Sequence, residues 1–180
     1  QKSETYSVVS FSSAAGRINK FLFYPHPTKG VYPQTFNDKQ GNPTTESVKE
    51  AYERVFKERV NWFLDLVIAL EAQDLVANIN SDGIKEFDHT AFADWAAAIN
   101  AALAKLEGSE TNLVNIKVIY DSKGQYPEIP NKGFIEKHVP GLPCNLKMTS
   151  YETKNRLTPK VLKTAAAVTT ETDSNLPPVF

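Results

Sequence analysis

Apolar residues recur along this chain in two different rhythms. Between residues 44 and 108 the rhythm is helical. Val48, Ala51, Val55, Val60, Phe63, Leu64, Val67 and Ile68 return mostly at steps of three, four and five, one stripe of an α-helix about seven turns long. Pro43-Thr44-Thr45-Glu46 precedes it as a helix-start signal, a threonine cap with acid in the first turn. A second helix, predicted to begin near Asp88 or Thr90, carries Phe92, Trp95, Ala96, Ile99, Ala102, Leu103 and Leu106 on one face, and Gly108 ends it. The turn-rich stretch between them, Asn78 to Asp88, holds a short predicted strand at Ile84 to Phe87.

On either side the pattern alternates. Thr5 to Ser12 and Lys20 to Tyr24 are rich in β-branched and aromatic residues and are separated by the small residues Ser12 to Gly16. Asn112 to Asp121 places Val114, Ile116, Val118 and Tyr120 on one face and Leu113, Asn115, Lys117 and Ile119 on the other. Gly133 to Lys137 and Cys144 to Tyr151 are predicted as shorter strands. The latter has Asn145, Lys147, Thr149 and Tyr151 on a polar, basic face and Leu146 and Met148 on an apolar one. Pro127, Pro130, Pro140 and Pro143 fall in the connections, because proline cannot donate to a central ladder. From Thr164 the chain turns Ala/Thr-rich and closes on Leu176-Pro177-Pro178-Val179-Phe180, with no apolar period of its own.

These rhythms predict an α+β fold: a small antiparallel β-barrel or sheet, OB-like, built from β segments 5–26 and 112–163, with an inserted two-helix block at 44–108. Residues 1–165 form one globular domain and 166–180 a flexible tail. Five strands with helices inserted after the second fit an OB-type barrel, and an ordinary α+β sandwich remains equally open.

Composition narrows the compartment and chemistry. At 180 residues one domain is the default, and a chain of this size buries about 70% of its unfolded surface. The single cysteine, Cys144, excludes an internal disulfide framework and a multi-cysteine zinc site. It fits a cytoplasmic location (that of the host cell, if the protein is viral), with secretion left open. No apolar run reaches the roughly 18–20 residues of a membrane span; the longest, Trp62 to Leu70, is interrupted by Asp65. With Gln1 at its start and Met148 as its one methionine, the chain is expected to be a processed or trimmed product.

The net charge of −1 is unevenly spread: +3 over residues 1–43, −7 over 44–110, +5 over 111–165 and −2 over 166–180. The acidic excess is concentrated in the helical block, and both β segments are basic.

No catalytic constellation emerges, so the chain reads as a non-enzyme without cofactor or metal. His26, His89 and His138 are widely separated, and no nucleophile elbow, Walker loop or dinucleotide fingerprint is present. Ser12 to Arg17 is only loosely phosphate-friendly, having one glycine. Cys144 beside His138 or His26 would be a nucleophile and base, but its place before Leu146 and Met148 favours a packed thiol. Glu50/Glu53 and Glu71/Asp74 read as solvated helix faces.

The β segments interleave cations and rings, the combination single-stranded nucleic acid requires: charges that displace phosphate counterions and flat faces on which bases stack. The candidate contacts are Arg17, Lys20, Tyr24, Lys117, Lys123, Tyr126, Lys147, Tyr151, Lys154 and Arg156. Phe21 and Phe23 share one strand face and Leu22 and Tyr24 the other, so one pair belongs to the core. The competing interpretation has the lysines as plain solvation and the helical block as a partner surface, as in a virion component or an extracellular binding domain.

The run Val114-Asn115-Ile116-Lys117-Val118-Ile119-Tyr120-Asp121-Ser122-Lys123-Gly124, followed by Gly133-Phe134-Ile135-Glu136 and Leu146-Lys147, resembles the second half of an OB fold in the single-stranded-DNA-binding proteins of bacteriophages and bacteria. The ending, with Glu171, Asp173 and Leu176 to Phe180, is similar to the acidic tails of that family. The resemblance covers residues 5–26 and 112–163 plus the tail. It implies single-stranded DNA binding in replication and a tail that docks replication or repair proteins; the helical block is then expected to pack on the far side of the barrel or to build a homo-oligomer. Two departures stand: the tail holds only two acidic residues, and a minimal OB barrel lacks the block at 44–110.

Overall fold

A computed structural model describes residues 5–79, 84, 86–106 and 112–157. The fold is mixed α+β. Its described strands pair as four separate two-stranded antiparallel ladders: β1 (Tyr6–Ser13) with β2 (Gly16–Phe23), β3 (Thr35–Asn37) with β4 (Pro43–Thr45), β5 (Val114–Ile116) with β8 (Ile135–Lys137), and β6 (Ile119–Tyr120) with β7 (Pro127–Glu128). No closed barrel forms among the described residues, so the OB-like closure is not met. Among the described residues the helices that accompany the ladders include α1 (Val48–Ala69), α2 (Gln73–Val76), α3 (His89–Ala104) and α4 (Ser150–Asn155). The proposed tail, 166–180, lies outside the described residues.

The two long helices sit where the periodicity puts them, with different caps and edges. Ser47, not a threonine, caps α1, in a reciprocal box with Glu50, while Pro43 to Thr45 form β4. Asp88 caps α3 by accepting from the Thr90 and Ala91 N–H groups. Gly108, its expected stop, is outside the described residues. Glu71 ends α1 in the left-handed region, at φ 52°, with Glu71 N–H donating to Ile68 O and Ala72 N–H to Val67 O, a Schellman closure. The strand expected at Ile84 to Phe87 is absent among its described residues: Glu86 and Phe87 turn, with Phe87 at φ 54°.

α1 is buried across half its circumference, because it packs on β8 and on α3 at once. Tyr52, Phe56, Val60, Trp62, Phe63, Leu66 and Val67 are buried, whereas Val48, Leu64 and Ile68 from the predicted stripe face outward. α3 buries Phe92, Trp95, Ala96, Ile99 and Ala102 as its spacing requires. One contiguous core joins Leu22 of β2 to both helices and to Ile129 and Phe134. At its centre Trp62 stacks on Phe134, centroids 4.6 Å apart and planes within 1°, and Phe63 meets Trp95 edge-on at 5.6 Å.

The Trp62 indole N–H is fully buried and finds no acceptor among the described residues. A desolvated, unpaired donor is a standing cost that a phenyl ring would not carry. Trp62→Phe should therefore cost less than about 1.5 kcal/mol of folding stability, the usual limit for apolar replacements that keep most of the packed volume. A larger drop in the urea midpoint would show that the ring volume lost beside Phe134 outweighs relief of the unpaired donor.

Candidate nucleic-acid interface

The register of the β1–β2 hairpin decides which of its rings meet water. Val8 lies opposite Phe21, Tyr6 opposite Phe23, and Ser7 opposite Leu22. Residues facing each other across a ladder share a side of it, and successive residues alternate. The Ser7–Leu22 side is buried in the core. The other side points outward, leaving Phe21 51%, Phe23 46% and Tyr6 48% exposed. Tyr6 lies 5.8 Å from Phe21 and 5.6 Å from Phe23, centroid to centroid, so the three form one continuous strip of ring surface.

At Phe21 the strip runs into a cleft of about 490 Å³, walled by β2, α1, residues 128–131 and α4. Three cations, Lys20, Arg59 and Arg156, line it together with two carboxylates, Glu128 and Glu152, and two exposed rings, Phe21 and Tyr151 (60% exposed). Lys20 reaches out of β2 to donate from Nζ to Ile129 O at 2.5 Å and Asn131 Oδ1 at 2.8 Å. Burial lowers its pKa to about 8; Glu128 partly offsets this and Arg59 adds to it. Arg59 donates from Nε to Phe23 O at 3.1 Å, and burial holds its guanidinium below the usual value. Arg156, at the end of α4, donates to the Tyr120 carbonyl and pairs with Glu128.

Of the residues singled out from the sequence, Lys20, Tyr151 and Arg156 meet in this cleft. Lys117 does not. It is buried at 5% exposure, with Nζ donating to Glu152 Oε2 at 3.1 Å and Lys147 O at 3.2 Å. The alternation holds over the first half of 112–121, where Ile116 packs on the core and Leu113 is exposed, and reverses after it, where Lys117 and Ile119 are buried and Val118 is exposed. The ladder also breaks between β5 and β6, which pair with different strands. Tyr24 is likewise a core residue, its ring edge-on to Phe92 at 5.5 Å and its hydroxyl 2.6 Å from Ser7 Oγ. Arg17 at the hairpin end, Lys123 and Tyr126 at the β6–β7 turn, Lys147 and Lys154 are all exposed, but none lines the cleft.

The strand predicted at Cys144 to Tyr151 is replaced by an irregular stretch leading into α4. Thr149 caps that helix and Glu152 closes the reciprocal box, so Tyr151 projects from a first helical turn. Cys144 is exposed, not packed.

Arg59 was hidden in the acidic block. It lies three, four and seven residues from Phe56, Val55 and Tyr52, and again from Trp62, Phe63 and Leu66, so it falls on the middle of the apolar face. A lone cation at that position was the available signal. Two histidines far apart in sequence also meet: the rings of His26 and His89 are 5.3 Å apart, and Thr28 N–H donates to His26 Nδ1 at 3.2 Å. Among the described residues no group of three or more His, Cys, Asp or Glu is placed to hold a metal ion, and no helix is long and apolar enough to cross a membrane.

Comparison with protein-family models, with curated proteins and with solved structures found no match to this chain.

Proposed function

We propose that this chain binds single-stranded nucleic acid and performs no chemistry on it. The observation that carries this reading is the meeting, at Phe21, of an exposed strip of three rings with a cleft holding three cations. Every base offers a flat face to a ring and every linkage a negative charge to a cation, so this pairing suits a strand of any sequence. Phe134, next to the ladder of 114–116 with 135–137, stacks on Trp62 of α1, the helix that also carries Arg59. Residues 166–180 are read from their sequence as the segment that docks replication or repair proteins.

The test is a titration of labelled oligo(dT) across a salt series. Single-strand affinity falls with log salt by about 0.7 per phosphate neutralised, so contacts from Lys20, Arg59 and Arg156 correspond to a slope of about −2. Binding with that slope is expected; absence of binding, or binding indifferent to salt, would overturn the reading. Tyr151→Ala should weaken affinity about tenfold, within the roughly 1–3 kcal/mol that stacking on one ring supplies, and Tyr151→Phe should leave it unchanged.

A second reading, that of an interaction protein, is favoured by the exposed Leu64 and Ile68 one turn apart on α1. Concentration-dependent mass by light scattering, lost in Leu64→Glu/Ile68→Glu, would favour it.

A further inference from the structure

Two cations in the cleft sit where cations are seldom left alone. Arg59 occupies the middle of the buried face of α1, and Lys20 shares the inward side of its hairpin with Leu22. Both are half-buried. Among the described residues neither forms an ion pair with a carboxylate: the acids of the cleft are engaged elsewhere, Glu128 with Arg156 and Glu152 with Lys117. The hydrogen-bond acceptors of Lys20 and Arg59 among the described residues are neutral, namely the carbonyls of Ile129 and Phe23 and the amide of Asn131. Glu128 attracts Lys20 and Glu58 attracts Arg59, but neither carboxylate comes within ion-pair distance of its cation; a desolvated charge so weakly compensated is unfavourable, and an arriving anion relieves it.

Resting on the single-strand reading, we propose that the cleft is a subsite for one nucleotide phosphate, held by Arg59 and Lys20, and that Lys20 makes its occupancy depend on pH. An ammonium has three N–H donors, of which Ile129 and Asn131 take two, so one remains for the phosphate. The fork of Arg59 offers the geometry that phosphate oxygens accept. Phe21 and Tyr151 both line the cleft and are exposed, so each offers a ring face for the attached base, and 490 Å³ falls within the roughly 300–1,000 Å³ of small-ligand sites.

The pH dependence follows from the surroundings of Lys20. Facing it are Glu128 of β7, Arg59 of α1, and Tyr151, Glu152 and Arg156 of α4 and its end. Because burial outweighs the attraction of Glu128, the ammonium loses its proton near pH 8, far below an exposed lysine. Raising the pH from 7 to 9 thus removes one of the phosphate's partners, whereas an arginine in its place would keep its charge.

The experiment measures binding of deoxyadenylate and of an eight-residue oligo(dA) to the full chain at pH 7 and 9, since adenine carries no group that titrates between them. The unsubstituted chain should lose about tenfold in affinity over that interval, the factor by which the charged fraction falls for a group titrating near 8. Lys20→Arg should bind equally at both values, and Lys20→Gln should bind about tenfold more weakly at pH 7 with no further loss at pH 9. A flat profile in the unsubstituted chain, or an unchanged profile in Lys20→Arg, overturns the subsite. If oligo(dA) binds with salt dependence but without regard to Lys20, the subsite fails and the single-strand reading stands. If deoxyadenylate binds through Lys20 and oligo(dA) binds no more tightly, the subsite stands and the single-strand reading fails.

Discussion

Lys117→Met should destabilise the fold by about 3 kcal/mol while leaving oligonucleotide affinity per folded molecule unchanged. Lys117 and Glu152 form an ion pair whose side chains are 4% and 11% exposed. Removing one member of a buried pair strands the other charge, which costs roughly 3–5 kcal/mol. The lower end applies here because Glu152 also borders the cleft, where solvent reaches it. Methionine keeps the length and packing of the lysine stem, so the change isolates the charge. Lys117→Met/Glu152→Gln should recover at least about 1 kcal/mol, because neither partner is then left charged and alone. A single substitution that moves the urea midpoint no more than a surface change would refute the pairing.

The same pair gives acid unfolding a definite sign. Burial pushes the Glu152 carboxyl up, but the Thr149 N–H, the Lys117 ammonium and the Thr149 hydroxyl together hold it below the usual carboxylate range. A carboxyl depressed in the folded state contributes stability that is complete above its unfolded value, roughly 4.3, and is lost as pH falls through the folded value. Stability measured downward from pH 5 should therefore fall less steeply in Lys117→Met than in the unsubstituted chain.

The residues that were legible in the sequence are those whose burial follows from local period. Phe92, Trp95, Ala96 and Ile99 repeat at helical steps and are buried together. The hairpin at residues 6–23 follows from two β-rich runs around small residues. What was misread has a common cause. Alternation from 113 to 120 shows that two faces differ, and polarity then assigns lysine to the outside. That rule fails when a carboxylate from far along the chain waits inside, as Glu152 does, 35 residues away. At 145–151 a weak strand-like alternation masked the Thr149 to Glu152 capping box, a stronger signal because two backbone donors depend on it.

The cleft was the least legible feature, for a reason of distance. Lys20 binds Ile129 and Asn131 across 109 and 111 residues. Arg59 comes from a block whose net charge is −7, which concealed a cation at the centre of its apolar face. Neither composition nor spacing reports a contact between elements so far apart. The aromatic strip was closer to reach. The sequence shows that Phe21 and Phe23 lie together and apart from Leu22 and Tyr24, and only the packing of Leu22 and Tyr24 on the helices decides which pair is outside.

Phe21→Ala/Phe23→Ala should lower single-strand affinity by at least about thirtyfold. Each ring that supports a base contributes roughly 1–3 kcal/mol, so two rings account for at least about 2 kcal/mol. Folding stability should move far less. Both rings stand on the outer face of the hairpin, and what they lose is their tilted contact with Tyr6, worth roughly 0.2–1 kcal/mol for each cross-strand pair. The double variant therefore separates a stacking surface from a structural one: affinity per folded molecule and the urea midpoint are measured on the same sample. Replacement by tyrosine at both positions keeps two flat faces and should restore binding. Replacement by leucine keeps apolar area without a ring, and here the two readings diverge. A nucleic-acid platform loses most of its affinity with leucine, because a base needs a π face. An apolar docking patch for a protein keeps its grip, because burial depends on area removed from water and not on ring geometry. Full oligonucleotide affinity in the leucine variant would refute the platform.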